Sequence, residues 1–127
     1  IPQFLIDAHE GGYHLNRDAC HNLLHDFPRG TFNDVQFFHI TALSGRSGCC
    51  LKRRHGDIMT REVHMCLFLA RCARALGLNQ EDVVRRGELL DLATGAEVLD
   101  DTIDLYESEK MHELQLVLHT DKRRRVW

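Results

Sequence analysis

The sequence predicts an α/β protein of the α+β type, a two-layer sandwich with two helices packed on one face of a four-stranded mixed sheet. Runs of β-branched and aromatic residues alternate with stretches of helical periodicity, in the order β-α-β-α-β-β with an insertion before the last strand. The 127 residues suffice for one hydrophobic core, and no repeat or low-complexity linker divides them. We predict one compact domain over residues 1–121 and a basic tail over residues 122–127.

The first half of the chain supplies two predicted strands and one helix. The apolar run "FLIDAH" (4–9) suits a strand, and Asn16 can cap a helix. The apolar positions of that helix recur at helical spacing, at Cys20, Leu23, Leu24 and Phe27. Residues 34–43, "DVQFFHITAL", predict a strand, and the glycine-containing stretch 44–57 predicts a loop.

The second half supplies the second helix and the remaining strands. A long helix is predicted from about Thr60 to Leu76, with Gly77 where a C-terminal glycine belongs. Residues 83–92 predict a strand, and the alternation over 112–120 predicts the last one. Between these two strands, residues 93–110 begin with residues typical of a turn. After the turn, the sequence is compatible with a short strand or with part of a helix.

Charge is distributed very unevenly along the chain. The net charge is −3, but residues 46–77 sum to +5, residues 78–121 to −9 and the last six residues to +4. Overall acidity therefore does not exclude a polyanion partner. No stretch approaches the roughly 18 consecutive apolar residues of a membrane span, so we expect no membrane partner.

Arginine and lysine concentrate in the predicted loop and in the tail, which is the pattern of a phosphate-binding surface. Gly45, Gly48 and Gly56 would let the loop approach a backbone closely, and Trp127 offers a ring for base stacking. The alternative interpretation is that these basic side chains are simply exposed to water and bind no partner. The predicted RNA-binding residues are Arg46, Lys52, Arg53, Arg54, Arg61, Lys122, Arg123, Arg124 and Arg125.

An alternative enzymatic interpretation rests on His39 and Thr41. A His-x-Thr triplet within a strand resembles one motif of the two-histidine phosphoesterases, in which two such elements serve as base and acid on one phosphate. The second element is missing, because His119 and Thr120 are adjacent and their side chains would point to opposite sheet faces. A histidine on the less buried face of the sheet is the simpler explanation.

Metal, cofactor and thiol chemistry receive little support from the sequence. His21 and His25 have the i, i+4 spacing of a chelating pair, but no third ligand is evident, so we expect no metal and no cofactor. Five cysteines without a CxxC pair indicate free thiols and a reducing compartment. The first residue is Ile, which indicates a processed chain or a fragment.

The element order and the position of the basic loop resemble the C-terminal domain of translation initiation factor 3. "GGYHL" (11–15) is similar to that family's Gly-x-His-Asp-Leu segment, without the Asp. "VQFFHITALSGRS" (35–47) aligns with its V-x-V-x-x-x-F-R-G-R-E strand through Gly45-Arg46, and "HELQLVLHTDKRRR" with its last strand and lysine-rich end. The resemblance covers residues 4–76 and 111–125, whereas the acidic stretch 78–110 is unlike the family.

This resemblance implies binding to small-subunit ribosomal RNA and contact with small ribosomal subunit proteins, without catalysis. Arg46 and the basic loop would contact phosphates, and the protein would be a monomer outside the assembly. The acidic region would face solvent or a basic protein. The expected location is the mitochondrial matrix or another organelle, otherwise the cytoplasm. A structural protein of a divergent organellar ribosome, or another protein–protein interaction module, remains the alternative without catalysis.

Overall fold

The computed structural model describes residues 16–53 and 61–120, with the backbone alone for residues 61–64. The predicted strand 4–9 and the tail 122–127 lie outside these residues. The elements are α1 (Arg17–Asp26), β1 (Val35–Ala42), β2 (Ser47–Arg53), α2 (Arg61–Leu76), α3 (Gln80–Arg86), β3 (Gly87–Asp91), a 3₁₀ turn (Ile103–Leu105) and β4 (Met111–Leu118).

Within the described residues, four strands form one mixed sheet in the order β2-β1-β4-β3. β1 pairs antiparallel with β2 and parallel with β4, and β3 pairs antiparallel with β4. The parallel pair is joined by a long crossover containing the helices α2 and α3, as parallel strands require. The predicted α+β class with a four-stranded mixed sheet is confirmed.

Alternation along β1 divides the core between the two sheet faces. Phe38, Ile40 and Ala42 belong to the larger cluster, which α2 and α3 cover, as the sequence predicted for this strand. Val35 and Phe37 belong to a smaller cluster on the opposite face, which α1 covers through Cys20. The expectation that the two predicted helices share a face is therefore wrong, because β1 is apolar on both faces and each needs cover.

Residues 44–57 were predicted as a loop, but Ser47–Arg53 form strand β2. The turn closes through Gly45, whose φ of +92° suits glycine, and the amide of Ala42 donates to the carbonyl of Arg46 at 2.8 Å. Gly48 is a packing position, because a Cβ there would lie 2.7 Å from the carbonyl oxygen of Ala75 in α2. The glycines and charges that suggested a loop thus belong to a hairpin packed closely against a helix.

Residues 83–86 were predicted as part of a strand and instead complete the helix α3. The Asn79 side chain accepts a hydrogen bond from the amide of Asp82, and basic side chains occupy the last turn. Only from Gly87 onward does the chain enter β3. The helix forms because its cap and its charge distribution outweigh the strand preference of Val83 and Val84.

The stretch before β4, residues 93–110, is part of the core. Gly95 makes the predicted turn with φ +76°, and a single bridge joins Leu90 to Glu97. The Ile103 side chain is fully buried. The buried Gln36 side chain donates hydrogen bonds of 2.9 Å to the carbonyls of Ile103 and Tyr106. These contacts fix the stretch against the sheet end at which β1 begins.

Candidate nucleic-acid interface

Lys52 was predicted to contact phosphate, and the structure buries it instead. The residue is 1% exposed, because even-numbered positions of β2 face α2 and the core. Its ammonium forms an ion pair with Asp104 and donates to the carbonyl of Arg53 at 3.1 Å. Lys52 is therefore a structural residue, and its assignment to the RNA-binding site is wrong.

The structure describes only some of the other predicted basic residues. Arg53 ends β2 with a partly buried side chain, and α2 begins at Arg61, whose side chain is not described. Arg54 and the tail residues Lys122, Arg123, Arg124 and Arg125 lie outside the described residues. Of the predicted set, Arg46 is the exposed residue whose side-chain contacts the structure describes.

Arg46 lies in the β1–β2 turn and closes the C-terminal end of α2. Its guanidinium donates to the carbonyl of Leu76 at 3.3 Å and to that of Gly77 at 3.0 Å. Gly77 adopts φ +68°, and the amide of Leu78 donates to the carbonyl of Ala73, which completes a Schellman motif. The exposed cation at a helix C-terminus is also favoured by the helix dipole.

Replacing Arg46 by Ala is expected to lower the free energy of unfolding by about 1 kcal/mol, because two hydrogen bonds to carbonyls at the end of α2, one part-buried and one exposed, are lost. Urea unfolding measures the change. Arg29→Ala is the matched control, since Arg29 is exposed and lies between α1 and β1, and it should have little effect. An unchanged unfolding midpoint for Arg46→Ala would contradict the capping role.

Sheet topology gathers other arginines around Arg46. At this end of the sheet β1 and β4 finish while β2 and β3 begin, as the pairs Thr41–Ser47 and Gly87–Leu118 show. Arg74 lies in the last turn of α2, and Arg85 and Arg86 lie in the last turn of α3. We call this surface the basic end. It comprises Arg46, Arg74, Arg85 and Arg86, of which Arg85 is paired with Glu81 at 3.3 Å.

The last strand, β4, ends at the basic end. The amide of His119 donates to the carbonyl of Arg86 at 2.9 Å, which holds the end of β4 beside the α3–β3 junction. In the sequence, Lys122 follows Leu118 by four residues.

The opposite end of the sheet carries acidic groups. Asp104 pairs with Lys52, and the Glu109 carboxylate accepts the amide of Gly30 at 2.8 and 3.0 Å. Burial of the Tyr106 ring, together with the 2.9 Å hydrogen bond that its hydroxyl donates to Asp91, raises the pKa of the tyrosine. The stretch 78–110 is thus divided between both ends, since Arg85 and Arg86 belong to the basic one.

His39 lies on the sheet face that α1 covers in part, as its alternation with Phe38 predicted. Its Nδ1 lies 2.6 Å from Glu113 Oε2, and Arg17 contacts the other carboxylate oxygen at 2.6 Å. The histidine borders a cleft of about 350 Å³ that Arg17 and Ser47 also line. The carboxylate orients the ring, so the pair has one feature of a general base.

His119, the histidine considered from the sequence as a second catalytic group, does not reach the phosphate that His39 would contact. His119 is bonded to Glu88 and lies six residues along β4 from Glu113, about 20 Å away by strand geometry. Two histidines at that separation do not flank a single phosphate. The geometry therefore gives no support to the two-histidine phosphoesterase alternative.

The described part of the chain contains no cluster of three or more His, Cys, Asp or Glu side chains suited to a metal ion. His21 and His25 are exposed on α1, and His25 lies 3.6 Å from the adjacent Asp26. Among residues 16–53 and 61–120, no helix combines the length and apolar character needed to cross a membrane.

Comparison of the chain with protein-family models, with curated protein sequences and with solved structures found no match. The sequence missed Arg85 and Arg86 because residues 83–92 were interpreted as one strand. The Asn79 cap followed by Glu81 and Asp82 was the local signal that would have placed them on a helix.

Proposed function

We propose that the protein binds RNA through the basic end, with the tail residues 122–125 contributing further phosphate contacts. The observation that carries the proposal is the collection of Arg46, Arg74 and Arg86 at one end of an otherwise acidic molecule. Arginine presents a planar fork suited to phosphate oxygens, and concentrated positive charge raises the association rate. The proposed surface differs from the predicted basic loop, since it excludes Lys52.

The resemblance to the C-terminal domain of initiation factor 3 supports a ribosomal target. In this proposal the ligand is small-subunit ribosomal RNA, bound in the assembled subunit beside its proteins, and the compartment is the mitochondrial matrix or another organelle. The protein would act by occupying a site on the subunit without catalysis. Arg46 is the residue shared by the sequence resemblance and the basic end.

Binding of the full chain to single-stranded fragments of small-subunit ribosomal RNA tests the proposal. If the protein neutralises about four phosphates, the affinity should fall roughly 50-fold between about 50 and about 200 mM salt, because each contact releases counterions. The double variant Arg74→Gln, Arg86→Gln should bind at least about 10-fold more weakly at low salt, with a shallower salt dependence.

The matched control is the double variant Arg29→Gln, Lys110→Gln. Both residues are exposed and lie near the acidic end, where Glu109 accepts the Gly30 amide, so the variant removes the same charge from the other end of the sheet. It should leave affinity and salt dependence nearly unchanged. Equal losses in the two double variants, or no measurable binding by the wild-type chain, would contradict the proposal.

A further inference from the structure

Two neighbouring cysteines on β2 each lie beside a cysteine of a helix. Cys50 Sγ lies 3.9 Å from Cys72 Sγ of α2. Cys49 belongs to the small buried cluster on the other face together with Cys20 of α1, and interaction with the Cys20 thiol raises the pKa of the Cys49 thiol. All four residues are completely buried, and their thiols are reduced in this structure. One strand therefore carries two thiol pairs, one on each face.

Strand alternation explains why the pairs are separate. Consecutive side chains of β2 point to opposite faces, so Cys49 and Cys50 do not share a partner. A single metal ion bound by all four sulfurs is excluded for the same reason. Bonded sulfurs lie about 2.05 Å apart, so the Cys50–Cys72 pair must approach by about 1.9 Å for a bond to form.

We propose that Cys20–Cys49 and Cys50–Cys72 are disulfide-forming pairs that fasten α1 and α2 to opposite faces of β2. The oxidant is a disulfide compound such as glutathione disulfide. The thiolate of one cysteine attacks the oxidant's sulfur, one thiol leaves, and a mixed disulfide remains. The second cysteine's thiolate then attacks the protein sulfur and releases the second thiol. Two cysteine thiols lose two protons and two electrons, which the oxidant gains.

Burial determines when this exchange occurs. Burial and the contact with Cys50 raise the pKa of the Cys72 thiol, and the interaction with Cys20 together with burial raises that of Cys49. The deprotonated form of both thiols is thus strongly disfavoured once the core has packed. Exchange should therefore take place while the chain folds, and a disulfide formed then is shielded from later reduction.

Refolding the full chain in a buffer of reduced and oxidised glutathione, followed by alkylation and tryptic digestion without reduction, tests the pairing. Trypsin separates Cys20, Cys72 and Cys66 into the peptides 18–29, 72–74 and 62–71, and keeps Cys49 and Cys50 together in 47–52. We expect 47–52 linked to both 18–29 and 72–74, with 62–71 alkylated. The intact mass should fall by about 4 Da, and Tm should rise by at least about 10 °C over the reduced protein.

Single substitutions assign each bond. Cys49→Ser should leave only the link between 47–52 and 72–74, Cys50→Ser only the link between 47–52 and 18–29, and Cys66→Ser should leave both. Five alkylated thiols after refolding, a bond between Cys49 and Cys50, or a link that includes 62–71 would overturn the proposal. Even if a variant fails to fold, the wild-type peptide map shows whether 47–52 is linked to both 18–29 and 72–74 while 62–71 is alkylated.

Discussion

Replacing Asp104 by Asn is expected to lower the free energy of unfolding by about 2 to 3 kcal/mol, because it removes the counter-charge of a lysine that water hardly reaches. The Lys52 side chain is 1% exposed, and its ammonium forms an ion pair with the Asp104 carboxylate. The Asn side chain still accepts a hydrogen bond, but it brings no negative charge to the buried ammonium. Urea unfolding of the variant and the wild type measures the difference.

Lys52→Met is the informative companion variant. The methionine keeps most of the buried apolar stem, and the Asp104 side chain, 35% exposed, can be hydrated after its partner is lost. We expect a loss of only about 1 kcal/mol. Neither substitution should change the salt dependence of RNA binding. A larger loss for Lys52→Met than for Asp104→Asn, or unchanged stability in both, would contradict the buried ion pair.

Replacing Gly87 by Ala is expected to lower the free energy of unfolding by about 3 kcal/mol. Gly87 joins α3 to β3, and its amide donates to the carbonyl of Val83. A Cβ at this position would collide with that carbonyl oxygen and lie 3.2 Å from Leu116 Cδ1. Because the colliding atom belongs to the helix backbone, the helix or the strand must shift. Thermal and urea unfolding measure the loss.

Gly95→Ala provides the control for Gly87. Gly95 has φ +76° and open space where a Cβ would project, so alanine there incurs backbone strain without a collision. We expect a loss of about 1 kcal/mol. Equal losses at the two positions would show that the close packing at the α3–β3 junction is not the dominant effect.

Local sequence patterns correctly predicted the features that a single strand or a single helix end determines. Alternation in β1 correctly placed Phe38 and Ile40 on one face and Phe37 and His39 on the other. Gly77 ends α2 with the left-handed conformation that its position predicted. These features depend on periodicity and backbone sterics, which adjacent residues determine.

The strand β2 was missed because its pairing is not visible locally. Gly48 and the run of basic residues after Leu51 are typical of a loop, whereas hydrogen bonds to β1 make the segment a strand. The burial of Lys52 depends on Asp104, which lies 52 residues later in the chain. No spacing rule connects two charges so far apart, so sequence reasoning placed the lysine on the surface.

The candidate interface was predictable only in part. Arg46 was identified from the sequence, but Arg74 and Arg86 approach it only because α2, α3 and the parallel β1–β4 pair bring three chain ends together. The sequence indicated that basic residues lie close together along the chain between Arg46 and Arg54. In the fold, these residues separate, because Lys52 is buried and Arg53 lies near the acidic end of the sheet.

Amide NMR of the isotope-labelled chain, titrated with a ribosomal RNA fragment, locates the proposed RNA contact residue by residue. Binding at the basic end predicts shifts concentrated in the β1–β2 turn, at the C-terminal ends of α2 and α3 and beyond Leu118, with little change around Arg53 and Glu109. Shifts concentrated around Arg53 and Glu109, or no shifts at all, would contradict it.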